Sequence, residues 1–324
     1  MKRIFAFMLA VGFLVVWPAS SFAGSITQLV VFGDSLSDTG NVYIATGGME
    51  PAPPAYTAGL FTDGPDSYPA TTGPLGVWIQ QMAVMMGLPS PAPSLAGGTN
   101  YAFGGALTGY DPNFGSGGIP WVGDQVNLYL AAHGSSVPSN ALYTFWAGAN
   151  DIFTGVSPQT AVANLAANIN TLFHDGGKDF LWLDMPPLGD TPDGLSLGSM
   201  ESQELNLLSQ EFNADWLAAM GLLRADDPGI DLVGVNVYAL VESMLADPSA
   251  YGFVNVDSPA QGLNVDPNTY LFWDGVHPTT EGHYQVGSLA YQDVATPELP
   301  TSALFGTALL VAGVALGWRQ GASA

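Results

Sequence analysis

Apolar positions along the chain fall into two patterns. Short apolar runs bounded by glycine, proline or polar residues occur at Leu29 to Phe32, Ala141 to Trp146, Asp179 to Leu183 and Ile230 to Val235. Runs of this kind predict strands buried on both faces. Longer stretches with helical spacing lie between and after them, at Gly76 to Met86, Pro158 to Asp175, Met200 to Leu223 and Thr279 to Tyr291. In the second of these, Val162, Leu165, Ile169, Leu172 and Phe173 share one face, as an amphipathic helix requires. Thr279 or Thr280 is the expected N-cap of the last. The alternation predicts the α/β class, with a parallel sheet covered by helices on both faces in a three-layer α/β/α sandwich. Gly47 to Pro74 breaks the pattern. It is rich in Pro, Gly and Tyr and has little periodicity, which predicts a long surface excursion near a functional site. There is no internal repeat and no interdomain linker.

The two ends follow other rules. Lys2 and Arg3 precede an apolar run from Ile4 to Val16, and Ser21-Phe22-Ala23 places small residues before an expected cut. Residues 1–23 thus read as a secretory signal peptide, and residues 24–293 as one catalytic-size domain. Residues 294–300 form a spacer and residues 301–324 a hydrophobic tail. Thr301 to Trp318 is 18 residues without a charge, near the lower limit for a membrane span. Pro297-Glu298 lies just before it and Arg319 just after, with Leu299 and then Pro300 in between. This tail resembles the PEP-CTERM sorting signal of exopolysaccharide-producing Gram-negative bacteria, in which Pro-Glu-Pro precedes an apolar span and a basic end. The resemblance implies membrane association through the tail before processing by a sorting peptidase, and delivery outside the cell. An ordinary C-terminal anchor is the alternative.

Charge and composition narrow the function. The formal net charge is −23, and loss of Lys2 and Arg3 with the leader takes it to −25, leaving Lys178, Arg224 and Arg319 as the basic residues. Nucleic acid is excluded as a partner, because phosphate neutralisation needs clustered Lys and Arg. The charge reads as solubility outside the cell or as attraction of cationic substrates. The chain has no cysteine, so an exported domain must be held by packing alone, and neither a thiol nucleophile nor a thiolate metal site is available. The histidines are scattered, so no metal site and no cofactor is expected.

In open parallel sheets, ligands bind beyond the carboxyl ends of the strands. Three polar clusters fall at such places: Ser35 after the first strand, Asn150 after Ala141 to Trp146, and Asp274 with His277 after Leu271-Phe272-Trp273. Each has a plain reading. Ser35 fits a helix N-cap, Gly148-Ala149-Asn150-Asp151 fits an Asx turn, and Asp274 to Pro278 fits a glycine-containing turn. Together they fit nucleophilic catalysis. A serine hydroxyl needs a base to take its proton, His277 can be that base, and Asp274 can orient it. The Ser35 backbone N–H, a glycine N–H and the Asn150 amide can then hold an oxyanion.

Four separated blocks carry a further signal: Phe32-Gly33-Asp34-Ser35-Leu36-Ser37-Asp38-Thr39-Gly40-Asn41, Asn100-Tyr101-Ala102-Phe103-Gly104-Gly105-Ala106, Gly148-Ala149-Asn150-Asp151, and Asp274-Gly275-Val276-His277-Pro278. In this order they resemble the GDSL esterases and lipases, or SGNH hydrolases, over roughly Ile26 to Val294. The resemblance implies the SGNH hydrolase fold with a flavodoxin-like sheet. It implies a triad of Ser35, Asp274 and His277, and an oxyanion hole of Ser35, Gly104 and Asn150, with Gly105 as the alternative glycine. It further implies carboxylic ester hydrolysis on a small-molecule or lipid ester. An acyltransferase using the same acyl-enzyme and a non-catalytic surface-binding protein on the same fold are the competing readings. The oligomeric state is not readable from the sequence.

Overall fold

The computed structural model describes residues 26–52, 55–56, 59–64, 76–134 and 136–295. The expected signal peptide and the 301–324 tail lie outside the described residues. Among the described residues, no helix is long and apolar enough to cross a membrane.

The chain alternates strands and helices. In order these are β1 (Gln28–Gly33), α1 (Asn41–Ala45), α2 (Trp78–Met85), α3 (Val122–His133), β2 (Ala141–Trp146), α4 (Ala149–Phe153), α5 (Pro158–His174), β3 (Asp179–Leu183), α6 (Pro192–Ser196), α7 (Ser199–Asp226), β4 (Asp231–Val235), α8 (Val237–Ala246), β5 (Asn255–Pro259), β6 (Tyr270–Phe272) and α9 (Thr280–Ala295). The four expected strands are β1 to β4, and they pair in parallel in the order β1-β2-β3-β4. Residues 99–103 add an extended edge to β1: the Val31 N–H donates to Thr99 O at 3.0 Å and the Tyr101 N–H to Val31 O at 2.8 Å. This segment comes second in the chain and lies outside β1, beside the parallel bridge Val31–Asn100. Counted with it, the sheet has the flavodoxin-like order 2-1-3-4-5.

The apolar runs serve two cores at once. Val30, Phe32, Tyr143, Phe145, Phe180 and Trp182 face α3, α5 and α7. Leu29, Val31, Leu142, Trp146, Leu181 and Leu183 face α2, α8 and α9. Alternate residues of each strand thus point to opposite layers, and both layers are apolar. On α5, Ser157 accepts from the Thr160 N–H at 3.2 Å and Pro158 occupies the first turn, a standard helix start.

Two features depart from the expectations. β6 pairs with β5 and not with the central sheet, so the turn carrying Asp274 and His277 does not follow a strand of that sheet. α9 reaches Ala295, two residues past the boundary expected at 293.

Candidate active site

Ser35 follows β1 within a single turn closed by the Ser37 and Asp38 N–H groups on Asp34 O. The cap reading of Ser35 gives way here. The side chain that caps this turn is Asp34, whose Oδ1 accepts from the Leu36 N–H at 3.0 Å, and no regular helix begins until Asn41. The Ser35 side chain is therefore available for other work. Its Oγ lies 2.8 Å from His277 Nε2, and His277 Nδ1 lies 2.7 Å from Asp274 Oδ2. The pairing fixes the neutral tautomer: Nδ1–H donates to the carboxylate and Nε2 accepts from the serine hydroxyl. Ser35 is 9% exposed and the His277 and Asp274 side chains are largely buried.

The Asp274 carboxylate is fully engaged. Oδ1 accepts the Val276 and His277 N–H groups at 2.9 and 2.7 Å, and Oδ2 accepts from the Tyr56 hydroxyl as well as from His277. Burial by itself would raise its pKa. The hydrogen bond and charge of His277, with the Tyr56 hydroxyl and the His277 N–H, outweigh burial and hold it down to about 2. The Tyr56 hydroxyl is itself pushed up, by burial and by its carboxylate partner.

The glycine position needs correction. The Gly104 N–H donates to Asp38 Oδ2 at 3.0 Å, so it is not available to an oxyanion. A Cβ at Gly104 would sit 2.4 Å from Phe61 Cζ, and Phe61 lies against the His277 ring with centroids 5.2 Å apart. Gly104 is thus glycine for close approach. Gly105, in the left-handed region at φ 80°, borders the cavity beside Ser35, and its N–H has no acceptor among the described residues. The Ser35 N–H likewise has none. Asn150, in the first turn of α4, borders the same cavity, with Nδ2 also donating to Ala106 O at 3.1 Å.

The blocks are tied to one another by buried polar groups. Asp38 accepts the Gly40, Asn41 and Val42 N–H groups as well as that of Gly104. Burial raises its pKa to about 6 against those donors. Asn41 Nδ2 donates to Asn100 O and Ala102 O at 2.8 and 2.9 Å, and Asn100 Nδ2 donates to Ser37 O at 2.7 Å. Asp151 accepts the Thr108 hydroxyl at 2.7 Å. The loop before α2 closes the set: Thr62 Oγ1 donates to Pro278 O at 3.0 Å, and Asp63 Oδ1 accepts the Thr280 N–H at 2.7 Å at the start of α9. Thr279 Oγ1 accepts the Gly282 N–H at 3.2 Å, so Thr279 is the N-cap. Tyr56 and Phe61 are site residues that the sequence reading missed. Their only signal was membership of the long Pro/Tyr-rich loop.

Residues 29–290 match the GDSL-like lipase/acylhydrolase family. The chain belongs to that family. It is 30% identical over 310 residues to an uncharacterised protein from the trpE-trpG intergenic region of Pseudomonas putida, covering 83% of this chain and 48% of that one. It is 28% identical over 318 residues to the esterase EstA of Pseudomonas aeruginosa, covering 84% and 47%. The chain thus spans about half the length of these relatives. A solved acetylxylan esterase from Geobacillus stearothermophilus superposes with a TM-score of 0.45 at 13% identity, covering 85% of this chain and 97% of that one.

Proposed function

We propose that this GDSL-family chain is an exported serine ester hydrolase. His277 Nε2 takes the hydroxyl proton of Ser35 as Oγ attacks the acyl carbonyl, and the C=O bond opens to a tetrahedral oxyanion. The Ser35 and Gly105 N–H groups and Asn150 Nδ2 stabilise that oxyanion, with Gly105 replacing Gly104 in this role. His277 then returns the proton to the alcohol oxygen as the ester C–O bond breaks, leaving an acyl group on Ser35. A water molecule repeats the sequence in reverse and releases the acid. Asp274 keeps His277 in the reactive tautomer and stabilises the transient imidazolium. Membership of a lipase/acylhydrolase family and similarity to an esterase support ester hydrolysis. Export rests on the residue pattern of positions 1–23.

The observation that carries the mechanism is the unbroken hydrogen-bonded chain from Asp274 through His277 to Ser35 Oγ, beside two backbone N–H groups with no acceptor among the described residues. A p-nitrophenyl ester assay on purified protein tests it, together with labelling by a fluorophosphonate. Ser35→Ala is expected to lower kcat by at least ~10⁴-fold and to abolish labelling. Wild-type rates in Ser35→Ala would refute it. Release of free acid, and not transfer to an added alcohol, distinguishes hydrolysis from acyl transfer.

A further inference from the structure

The Gly105 N–H has no acceptor among the described residues, so whatever fixes its direction must act through its neighbours. Gly104 and Gly105 are the middle residues of a turn closed by the Ala106 N–H on Phe103 O at 3.1 Å, with Gly105 at φ 80°. The N–H of the middle peptide in such a turn is that of Gly105, and a flip of this peptide would turn it away from the cavity. Two carboxylates, each 1% exposed, stand on either side. Asp38, in the loop after the nucleophile, accepts the Gly104 N–H through Oδ2 at 3.0 Å. Asp151, next to Asn150, accepts the Thr108 N–H through Oδ2 at 3.0 Å and the Thr108 hydroxyl through Oδ1 at 2.7 Å. Between them, Asn150 Nδ2 donates to Ala106 O at 3.1 Å and the Val122 N–H donates to Leu107 O at 2.9 Å.

We infer that Asp38 and Asp151 are positioning residues for the oxyanion hole, which hold the 104–108 segment at both ends so that the Gly105 N–H points into the cavity. The inference rests on the catalytic reading of Ser35. Each carboxylate has a plainer duty, and each exceeds it. Asp38 accepts the Gly40, Asn41 and Val42 N–H groups, which caps the start of α1. Its remaining donor, Gly104, is 66 residues away and adjoins the oxyanion glycine. Asp151 lies in the first turn of α4, yet its side chain takes both the N–H and the hydroxyl of Thr108. The two anchors also come from the two blocks that supply the other donors, Asp38 from that of Ser35 and Asp151 from that of Asn150. One frame thus sets all the oxyanion donors relative to one another. An ionised carboxylate suits this task because each oxygen accepts more than one donor, in charge-assisted bonds. Burial, which raises the pKa of both groups, also shields those bonds from water. Donors fixed in this way need no reorganisation as charge develops on the substrate oxygen.

The test compares p-nitrophenyl acetate with its thiono analogue, in which sulfur replaces the carbonyl oxygen. Sulfur is larger and a weaker acceptor, so aligned donors favour the oxygen ester. The ratio of the two kcat/KM values reads that alignment whatever fraction of the protein is folded. Asp38→Ser keeps a hydroxyl to cap α1 but is too short to reach Gly104. It is expected to lower kcat on the oxygen ester about 100-fold with KM changed less than about threefold, and to lower the ratio about tenfold. Asp151→Ala is expected to do the same, and it carries the test if Asp38→Ser does not fold. Asp151→Asn, which keeps an oxygen for the Thr108 N–H, is expected to recover at least about tenfold in kcat over Asp151→Ala. A ratio that neither variant moves, or a loss carried by KM, would overturn the clamp and leave both carboxylates as braces of the fold. Ser35→Ala keeps the two questions apart. Turnover that survives in Ser35→Ala overturns the catalytic reading and this inference with it, whereas Ser35-dependent turnover with an unchanged ratio overturns the clamp alone.

Discussion

Asp184 gives a stability prediction that can be worked from its surroundings. It follows β3, is 2% exposed, and its Oδ1 accepts the Tyr238 N–H at 3.0 Å at the start of α8. Burial raises its pKa from 3.8 to about 7, against the backbone N–H groups of Tyr238 and Val237. The folded-state value lies above the unfolded one, so the folded state binds the proton more tightly. The stabilisation from this group is fully present below pH 3.8 and is lost as the pH rises through about 7. Between about pH 4.5 and about pH 9 the loss amounts to about 3 kcal/mol, since a tenfold difference in proton affinity between the folded and unfolded states is worth about 1.4 kcal/mol. Asp184→Asn keeps an oxygen for the Tyr238 N–H and removes the titration. Urea unfolding of both proteins at the two pH values isolates the effect. The variant is expected to gain about 3 kcal/mol on the wild type on going to the higher pH, a midpoint shift of about 1–3 M at ordinary urea slopes. Stability curves that run parallel, with the difference changing by less than ~1 kcal/mol, would refute the argument that an ionised Asp184 is held in the core at alkaline pH.

Three further outcomes follow from the site and its surroundings. Asn150→Ala removes the proposed side-chain oxyanion donor and is expected to lower kcat about 100- to 1,000-fold with a small effect on KM, read from steady-state kinetics. Tyr56→Phe removes a donor from Asp274 Oδ2, so the Asp274 pKa rises from about 2; kcat/KM is expected to fall about tenfold, most steeply on the acid side of the pH profile. His283 is fully buried, neither ring nitrogen has a hydrogen-bond partner among the described residues, and burial lowers its pKa to about 3. The unfolded state then takes the proton first, so stability falls as the pH drops from about 6.5 toward 3, by at most about 5 kcal/mol; His283→Leu is expected to flatten the acid limb of a Tm-against-pH curve.

The central sheet was legible because its strands are buried on both faces, which writes them as continuous apolar runs. β2 and β3 begin and end where those runs do. α3 and α8 escaped although Val122, Val126 and Tyr129, and Val237, Val241 and Met244, recur at helical spacing. In α3 the stripe is thin and interrupted by Gly123 and polar residues, and α8 starts two residues after β4, where the apolar run does not visibly end. The proposed reacting residues were legible because few side chains can activate a hydroxyl, and the structure brings Ser35, His277 and Asp274 together. The proposed donor glycine was not. Gly104 and Gly105 are adjacent and identical in type, and only the Asp38 contact, set by tertiary geometry, separates them. Tyr56 and Phe61 were hidden for a similar reason: they act across more than two hundred residues, from a segment without periodicity.

The placement of His277 outside the central sheet gives the proposed triad two different supports within one compact unit. Ser35 and Asn150 are fixed by strands in the middle of the domain, whereas His277 hangs on a short two-stranded ribbon and a turn braced by Thr62 and Asp63. That ribbon is not free-standing: Leu271 and Phe272 of β6 are 2% and 5% exposed and belong to the second core, so its detachment would open part of that core. The support of His277 is therefore tied to the same core that packs one face of the central sheet, and thermal displacement of His277 is coupled to the opening of that core.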